Sequence, residues 1–335
     1  MNNFYPKSPS EQHPPQPLEL PPLSTSAFQR PDKYLADPGL VDAVNVALLL
    51  RQPLVVTGEP GTGKTVLAWS VAWELGLEPP LVFETKSTSQ AKDLFYYYDT
   101  LGRFTAKELR TDAGTPNEYI TYSALGAAIV LTNSLDTVVD IVPSGFCHPG
   151  KRRSVVLIDE VEKAPREFAN DILNELERMY FRIPELGNRR VEADENYSPI
   201  VLMTNNSEKS LPDAFLRRCI YYDIPFPVGS RLEEIVASRL PELMGTNEEA
   251  TLIRDAIQFL LHARSESAGL EKPPGTAELL SWLNAMTKLG AEPRLSLLEQ
   301  ITFAERAFPA LAKISGDQMR VRELLRGWNG GRSKI

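Results

Sequence analysis

The chain has 335 residues, 42% hydrophobic and 24% charged, which is enough for more than one compact core. With 36 basic against 44 acidic residues its net charge is −8, which argues against bulk attraction to nucleic acid or an anionic membrane while leaving room for a local basic loop. No apolar run reaches the roughly 18 residues that cross a bilayer, so no membrane insertion is expected.

Residues 1–33 begin MNNFYPKSPSEQHPPQPLELPPLS, a proline-rich polar stretch without the hydrophobic segment of a secretory signal. Too little can be buried there for packing, so a disordered or extended arm is expected. The helical spacing of LVDAVNVALLL (Leu40, Val41, Val44, Ala47) predicts a helix. PLVVT predicts a buried strand, and GEPGTGKT follows it directly. KTVLAWSVAWELG then predicts a helix, with Leu67, Val71, Ala72 and Leu75 on one stripe and Gly76 at its C-terminal cap.

LVFET at 81–85 reads as a second strand. From Lys86 to Gly150 aromatic, polar and glycine segments mix, and helices are placed there only loosely. Within that stretch Cys147 adjoins His148, but Cys219, His13 and His262 are far away in sequence, too scattered a set for a zinc centre. SVVLID at 154–159 is the clearest central strand, apolar until its last residue. APREFANDILNELERMY predicts a helix with Phe168, Ile172, Leu176 and Met179 on one face. FRIPELGNRRVEAD predicts a hairpin turned at Gly187-Asn188. PIVLMTNN is another buried strand, and DAFLRRCIYYDIPFP a short helix, a strand and a proline break. Helical spacing continues almost to the end. The order predicts an α/β domain over 34–228, a parallel sheet with flanking helices, then a small α-helical domain over 229–330.

The chemistry sits at three strand ends. Gly58, Gly63, Lys64 and Thr65 satisfy G-x-x-x-x-G-K-[ST] between a strand and a helix. Glycines let successive amides turn toward a phosphate, and the helix N-terminus adds positive potential. The loop Gly58, Glu59, Pro60, Gly61, Thr62, Gly63, Lys64, Thr65 and Val66 is therefore a candidate ATP site, with Lys64 on the β- and γ-phosphates. The acids of VVLIDEVEKAP would stand at the sheet's carboxyl edge, where ligands bind in open α/β sheets. Asp159 would hold Mg2+ together with the Thr65 hydroxyl, and Glu160 would activate the attacking water. Asn205, at the tip of VLMTNN, is the chosen water-orienting amide, with Asn206 assigned to the turn. Arg217 or Arg218, in LPDAFLRRC, would reach the γ-phosphate of a neighbouring subunit.

In this order the motifs resemble an AAA+ P-loop NTPase, and PLVVTGEPGTGKT, VVLIDEVEKAPREFANDILNELE, FRIPELG and LPDAFLRRCIYYDIPFP resemble its MoxR-type branch, over roughly residues 34–300. The resemblance implies a Walker A motif at Gly58–Thr65, Walker B at Asp159-Glu160, sensor 1 at Asn205, and the arginine-finger position at Arg217 and Arg218. It also implies a pre-sensor insert around Gly187 and a helical lid. The lid sensor, an arginine in such proteins, has no arginine to match in LEKPPGTAELLSWL, where Lys272 is the nearest substitute. The resemblance further implies a cytoplasmic homo-oligomeric ring, commonly a hexamer, that remodels a protein, and suggests a von Willebrand factor A domain partner. Two other functions share the same core: a nucleic-acid-stimulated ring motor or restriction-type subunit, kept open by GKRRS and GNRR, and a slow ATP-gated scaffold.

Overall fold

The computed structural model of the protein describes residues 30–108, 114–206, 211–244 and 250–328. They divide into a compact unit Ala36–Pro225 and a second that joins the described residues before Ala36 to those from Phe226 on. Residues 1–29 of the expected arm lie outside the described residues. Pro31–Lys33 forms a single 3-10 turn, and the carbonyls of Arg30 and Lys33 accept from Arg239 and Ser238 of helix Ser230–Arg239.

The first unit is built on a five-stranded parallel sheet. Its strands in chain order are β1 (Leu54–Gly58) and β2 (Leu81–Glu84), then β5 (Val155–Asp159), β8 (Ile200–Thr204) and β9 (Ile220–Ile224), after two strands β3 (Tyr96–Tyr98) and β4 (Ile120–Tyr122) and two more, β6 (Tyr180–Ile183) and β7 (Arg189–Glu192), that lie outside it. The spatial order is β2-β5-β8-β1-β9. Helices cover both faces of such a sheet, so its three central strands are apolar without alternation, whereas the edge strand β9 keeps Tyr221 and Asp223 exposed. Val155, Val156, Leu157 and Ile158 are each 0% exposed. The parallel register brings Glu84 beside Asp159 and Val56 beside Thr204, so the loops that follow β1, β5 and β8 open at one edge.

Helix Pro38–Leu50 starts at Asp37, whose carboxylate accepts from the Leu40 amide and from the Tyr222 hydroxyl of β9. Helix Lys64–Glu74 stops at Leu75. Gly76 follows with a φ of 64°, and its amide and that of Leu77 bond the Trp73 and Ala72 carbonyls, a glycine-dependent helix stop. The expected single helix after Walker B is two, Arg166–Asp171 and Leu173–Arg178, because the turn at Ile172 tightens; Phe168, Ile172, Leu176 and Met179 are nonetheless all buried.

The loosely read stretch 86–150 contains the antiparallel pair β3–β4 and helix Ala124–Thr132, in which every residue but Ala127 is buried. The helix rests directly on backbone: a Cβ at Gly126 would lie 1.9 Å from the Phe95 carbonyl oxygen. The pair β6–β7 is the hairpin expected at Gly187-Asn188, and both of those residues have positive φ. The two antiparallel pairs meet through stacked Phe95 and Phe181, 5.3 Å between ring centroids, and through Glu185, which accepts from Tyr96 and from Lys92.

The second unit is helical. Helices Thr251–Ala263, Thr276–Lys288 and Ser315–Gly327 enclose Phe259, Trp282 and Phe308, each 0% exposed, and the Trp282 indole N–H donates to the Ala304 carbonyl at 3.1 Å.

Candidate functional site

The loop between β1 and helix Lys64–Glu74 needs its glycines. Gly58, Gly61 and Gly63 have φ of 139°, 82° and 89°, a region that favours glycine. A Cβ on Gly58 would stand 2.8 Å from the Ile224 carbonyl oxygen, so bare backbone is required where the loop crosses β9. Glu59, Pro60 and Gly61 form the exposed rim, Thr62 closes the turn by donating to the Glu59 carbonyl at 2.8 Å, and Val66 lies in the first helical turn. Such a run of turned amides at a helix N-terminus fits a triphosphate.

Lys64 is buried beneath this loop at 7% exposure, and its Nζ donates to the carbonyls of Gly58 and Glu59, each at 2.9 Å. Burial lowers its pKa, opposed by the negative charges of Glu162, Asp159, Glu160 and Asp223. The ammonium therefore rests on carbonyls that a phosphate could replace as its partner.

One residue further, Thr65 Oγ1 donates to Asp159 at 3.1 Å and 3.3 Å. Thr204, the last residue of β8, donates to Asp159 Oδ1 at 2.6 Å, and its oxygen accepts from the Glu160 amide at 2.8 Å. A hydroxyl beside a carboxylate suits Mg2+, which keeps several waters and takes phosphate oxygens rather than a closed protein cage. Among the described residues no cluster of three or more His, Cys, Asp and Glu could hold a metal alone, so the donor set is one that nucleotide phosphates would complete.

Glu160 has φ 55° and ψ 53°, a left-handed conformation, and Val161–Lys163 turn as a 3-10 helix after it. That turn gathers residues the sequence reading did not single out. Asn206 Nδ2 lies 2.8 Å from Glu162 Oε1 and 3.4 Å from Glu160 Oε1. Lys163 forms an ion pair with Glu160 Oε2. Asn205, chosen as the water-orienting amide, is buried at 3% exposure, and its backbone N–H donates to the Val56 carbonyl. The signal for Glu162 and Lys163 was present in EVEK, but only the turn geometry brings them round to Glu160.

Arg217 and Arg218 follow the short helix Asp213–Leu216 and are both exposed. Arg218 is tied down by Glu177 and by the Ala214 carbonyl at 3.0 Å, whereas Arg217 makes no side-chain hydrogen bond or ion pair among the described residues. Lys272 belongs to the helical unit, with an exposed side chain and an amide that donates to Asp317 at 2.9 Å.

Residues 53–219 match the AAA domain of the dynein-related subfamily. No curated protein sequence matches the chain. Among solved structures it is similar to the Thermotoga maritima RuvB Holliday junction branch migration motor, at 17% identity and TM-score 0.45 over 84% of this chain and 72% of that one. A proline-to-glycine mutant of that RuvB is similar at 16% identity and TM-score 0.45, over 83% of this chain and 72% of that chain. On the domain match, and on the phosphate-loop fold around it, residues 53–219 of the chain form an AAA+ ATPase domain.

Proposed function

We propose that this ATPase is a MoxR-type ring, a hexamer by resemblance, that couples Mg2+-dependent ATP binding and hydrolysis to chaperone-like remodelling of a partner protein in the cytoplasm. The observation that carries the hydrolytic part is the contact between Thr65 and Asp159 at the mouth of the glycine loop, with Glu160 next in sequence. The amides of 58–65 grip the phosphates, and Lys64 leaves the Gly58 and Glu59 carbonyls to pair with the β- and γ-oxygens. Thr65 and Asp159 would hold magnesium, which would supply positive charge to the phosphate oxygens. Glu160 takes the proton of the attacking water, and an amide at the tip of β8 aligns that water. The contacts of Asn206 with Glu160 and Glu162 favour it over the buried Asn205 for this role.

Hydrolysis in this reading needs a second subunit, because Arg217, exposed and without a side-chain hydrogen bond or ion pair among the described residues, would serve the γ-phosphate of a neighbouring chain. Its freedom, against the ties on Arg218, makes Arg217 the preferred finger. The two antiparallel pairs inserted around β5 support the MoxR-type reading, and a von Willebrand factor A domain protein is the partner that reading suggests. The basic segments that would favour a nucleic-acid motor are largely engaged: Lys151 pairs with Asp194, Arg189 with Asp140 and Arg190 with Glu192. Among the described residues no helix is long and apolar enough to cross a membrane.

The test is a pair of substitutions in the full chain. Glu160→Gln should bind ATP, assemble into a ring and lose nearly all turnover; the trapped ring is then used to recover the remodelled protein. Arg217→Ala should bind ATP and lose turnover by about 1,000-fold, the size expected of an arginine finger, whereas Arg218→Ala should lose much less. Full turnover by a monomer, or by Glu160→Gln, would reject the reading.

A further inference from the structure

Resting on the assignment of Glu160 as the base, its carboxylate is engaged on both oxygens: Oε2 pairs with Lys163, and Oε1 lies 3.4 Å from the Asn206 amide. The engagement follows from the backbone. The left-handed conformation of Glu160 starts a 3-10 turn in which the Lys163 amide bonds the Glu160 carbonyl at 2.9 Å. Val161 and Glu162 anchor that turn, at 3% and 7% exposure, and Glu162 is further fixed by Asn206 at 2.8 Å. With the two residues between them immobilised, Lys163 has its stem outside and its ammonium folded back on Glu160.

We propose that Lys163 is a positioning residue that latches Glu160 and must release it before hydrolysis. In the step it gates, a water oxygen bonds the γ-phosphorus, the bond to the bridging oxygen breaks with its electron pair staying on that oxygen of ADP, and the water proton passes to Glu160. The ammonium occupies Oε2, one of the two carboxylate oxygens able to accept this proton. The latch is a weak one, because both partners are solvent-exposed, 52% for Lys163 and 40% for Glu160. Exposed pairs of this kind slow a step by about two- to fivefold rather than block it.

Steady-state hydrolysis of Mg·ATP by the full-length protein tests this with Lys163→Met, Lys163→Arg and Glu160→Gln in parallel. The latch predicts that Lys163→Met raises kcat about two- to fivefold with KM for ATP unchanged, and that Lys163→Arg returns kcat to the parental value. A kcat that stays level or falls in Lys163→Met overturns the latch. So does a change in KM of the same size, or a gain in Lys163→Arg equal to that in Lys163→Met. Turnover that survives in Glu160→Gln overturns the base assignment itself, and an inactive Glu160→Gln beside a Lys163→Met of parental kcat overturns the latch alone.

Discussion

Thr204 donates its hydroxyl proton to Asp159 Oδ1 at 2.6 Å while the same oxygen accepts the amide proton of Glu160 at 2.8 Å. One small side chain on the neighbouring strand thus sets both the orientation of the first acid and the backbone entry to the second. Thr204 is 2% exposed, so water cannot stand in for it. Replacing it by valine keeps the shape but leaves the Glu160 N–H without its acceptor and Asp159 with Thr65 as its remaining donor, at a cost of about 1–3 kcal/mol. Thr204→Val is therefore expected to unfold at lower urea concentration by that margin and to lose kcat by about tenfold or more, while Thr204→Ser stays close to the parent. Urea unfolding and steady-state hydrolysis measure the two effects, and a Thr204→Val protein with parental stability would refute the bridging role.

The buried Lys64 makes a separate, ligand-linked prediction. A ligand bound only by the folded state stabilises it by about 2.7 kcal/mol at one hundred times its dissociation constant. Mg·ATP at that excess should raise the melting temperature of the parent protein, and Lys64→Met should lose most of the rise because the phosphates lose their principal cation. The comparison is made within each protein, with and without nucleotide, so any change in the stability of the empty loop cancels. An equal rise in both proteins would remove Lys64 from phosphate binding.

The glycine loop and the central strands were legible because their signals are local. Three glycines forced into positive φ, a buried lysine and apolar runs such as VVLID each state their geometry in a few residues. The choice between Asn205 and Asn206 was not legible. Alternation along a strand decides which neighbour faces the cleft, and β8 ends at Thr204, just where that rule stops applying. Lys163 was hidden for a related reason: it folds back on Glu160 from a turn that starts at a left-handed residue, a conformation the letters DEVEK do not announce. The pair β3–β4 escaped because three-residue strands are too short to show a period and are held by tertiary packing of Tyr96 and Phe95.

Glu185 gives a pH-dependent prediction. Burial alone would raise its pKa, but hydrogen bonds from Lys92 and Tyr96, both 2.7 Å, hold it below the ordinary carboxylate value. A carboxyl whose folded pKa is depressed adds stability above its unfolded pKa, about 4.3, and loses that contribution as pH falls through the lower folded value. Glu185→Gln should therefore be less stable than the parent by about 1 kcal/mol at pH 7 and pH 5, and the gap should narrow only below about pH 4. Urea unfolding of both proteins across that range measures it; a gap that stays constant down to pH 3 would show that the charge on Glu185 contributes nothing.

Gly126 carries the last prediction, and it concerns the attachment of the inserted segment rather than the chemistry. Helix Ala124–Thr132 is buried along nearly its whole length, and the Phe95 backbone touches it in its first turn. A methyl group at Gly126 would sit 1.9 Å from the Phe95 carbonyl oxygen and 2.6 Å from its carbon, contacts that only movement of the main chain can relieve. The same carbonyl accepts from the Ser123 amide at 2.9 Å, so moving it also breaks the bond that leads into the helix. Helix propensity favours alanine over glycine by about 1 kcal/mol, but overpacking a rigid contact costs about 1–3 kcal/mol or more, and here the obstacle is backbone on both sides. Gly126→Ala is thus expected to be destabilised by about 2 kcal/mol. Gly316→Ala, near the start of helix Ser315–Gly327 where nothing lies within 4 Å of the added carbon, should be neutral or slightly stabilising. Thermal unfolding of the two variants side by side separates close packing from propensity, and a Gly126→Ala protein as stable as Gly316→Ala would show that the contact with Phe95 can yield.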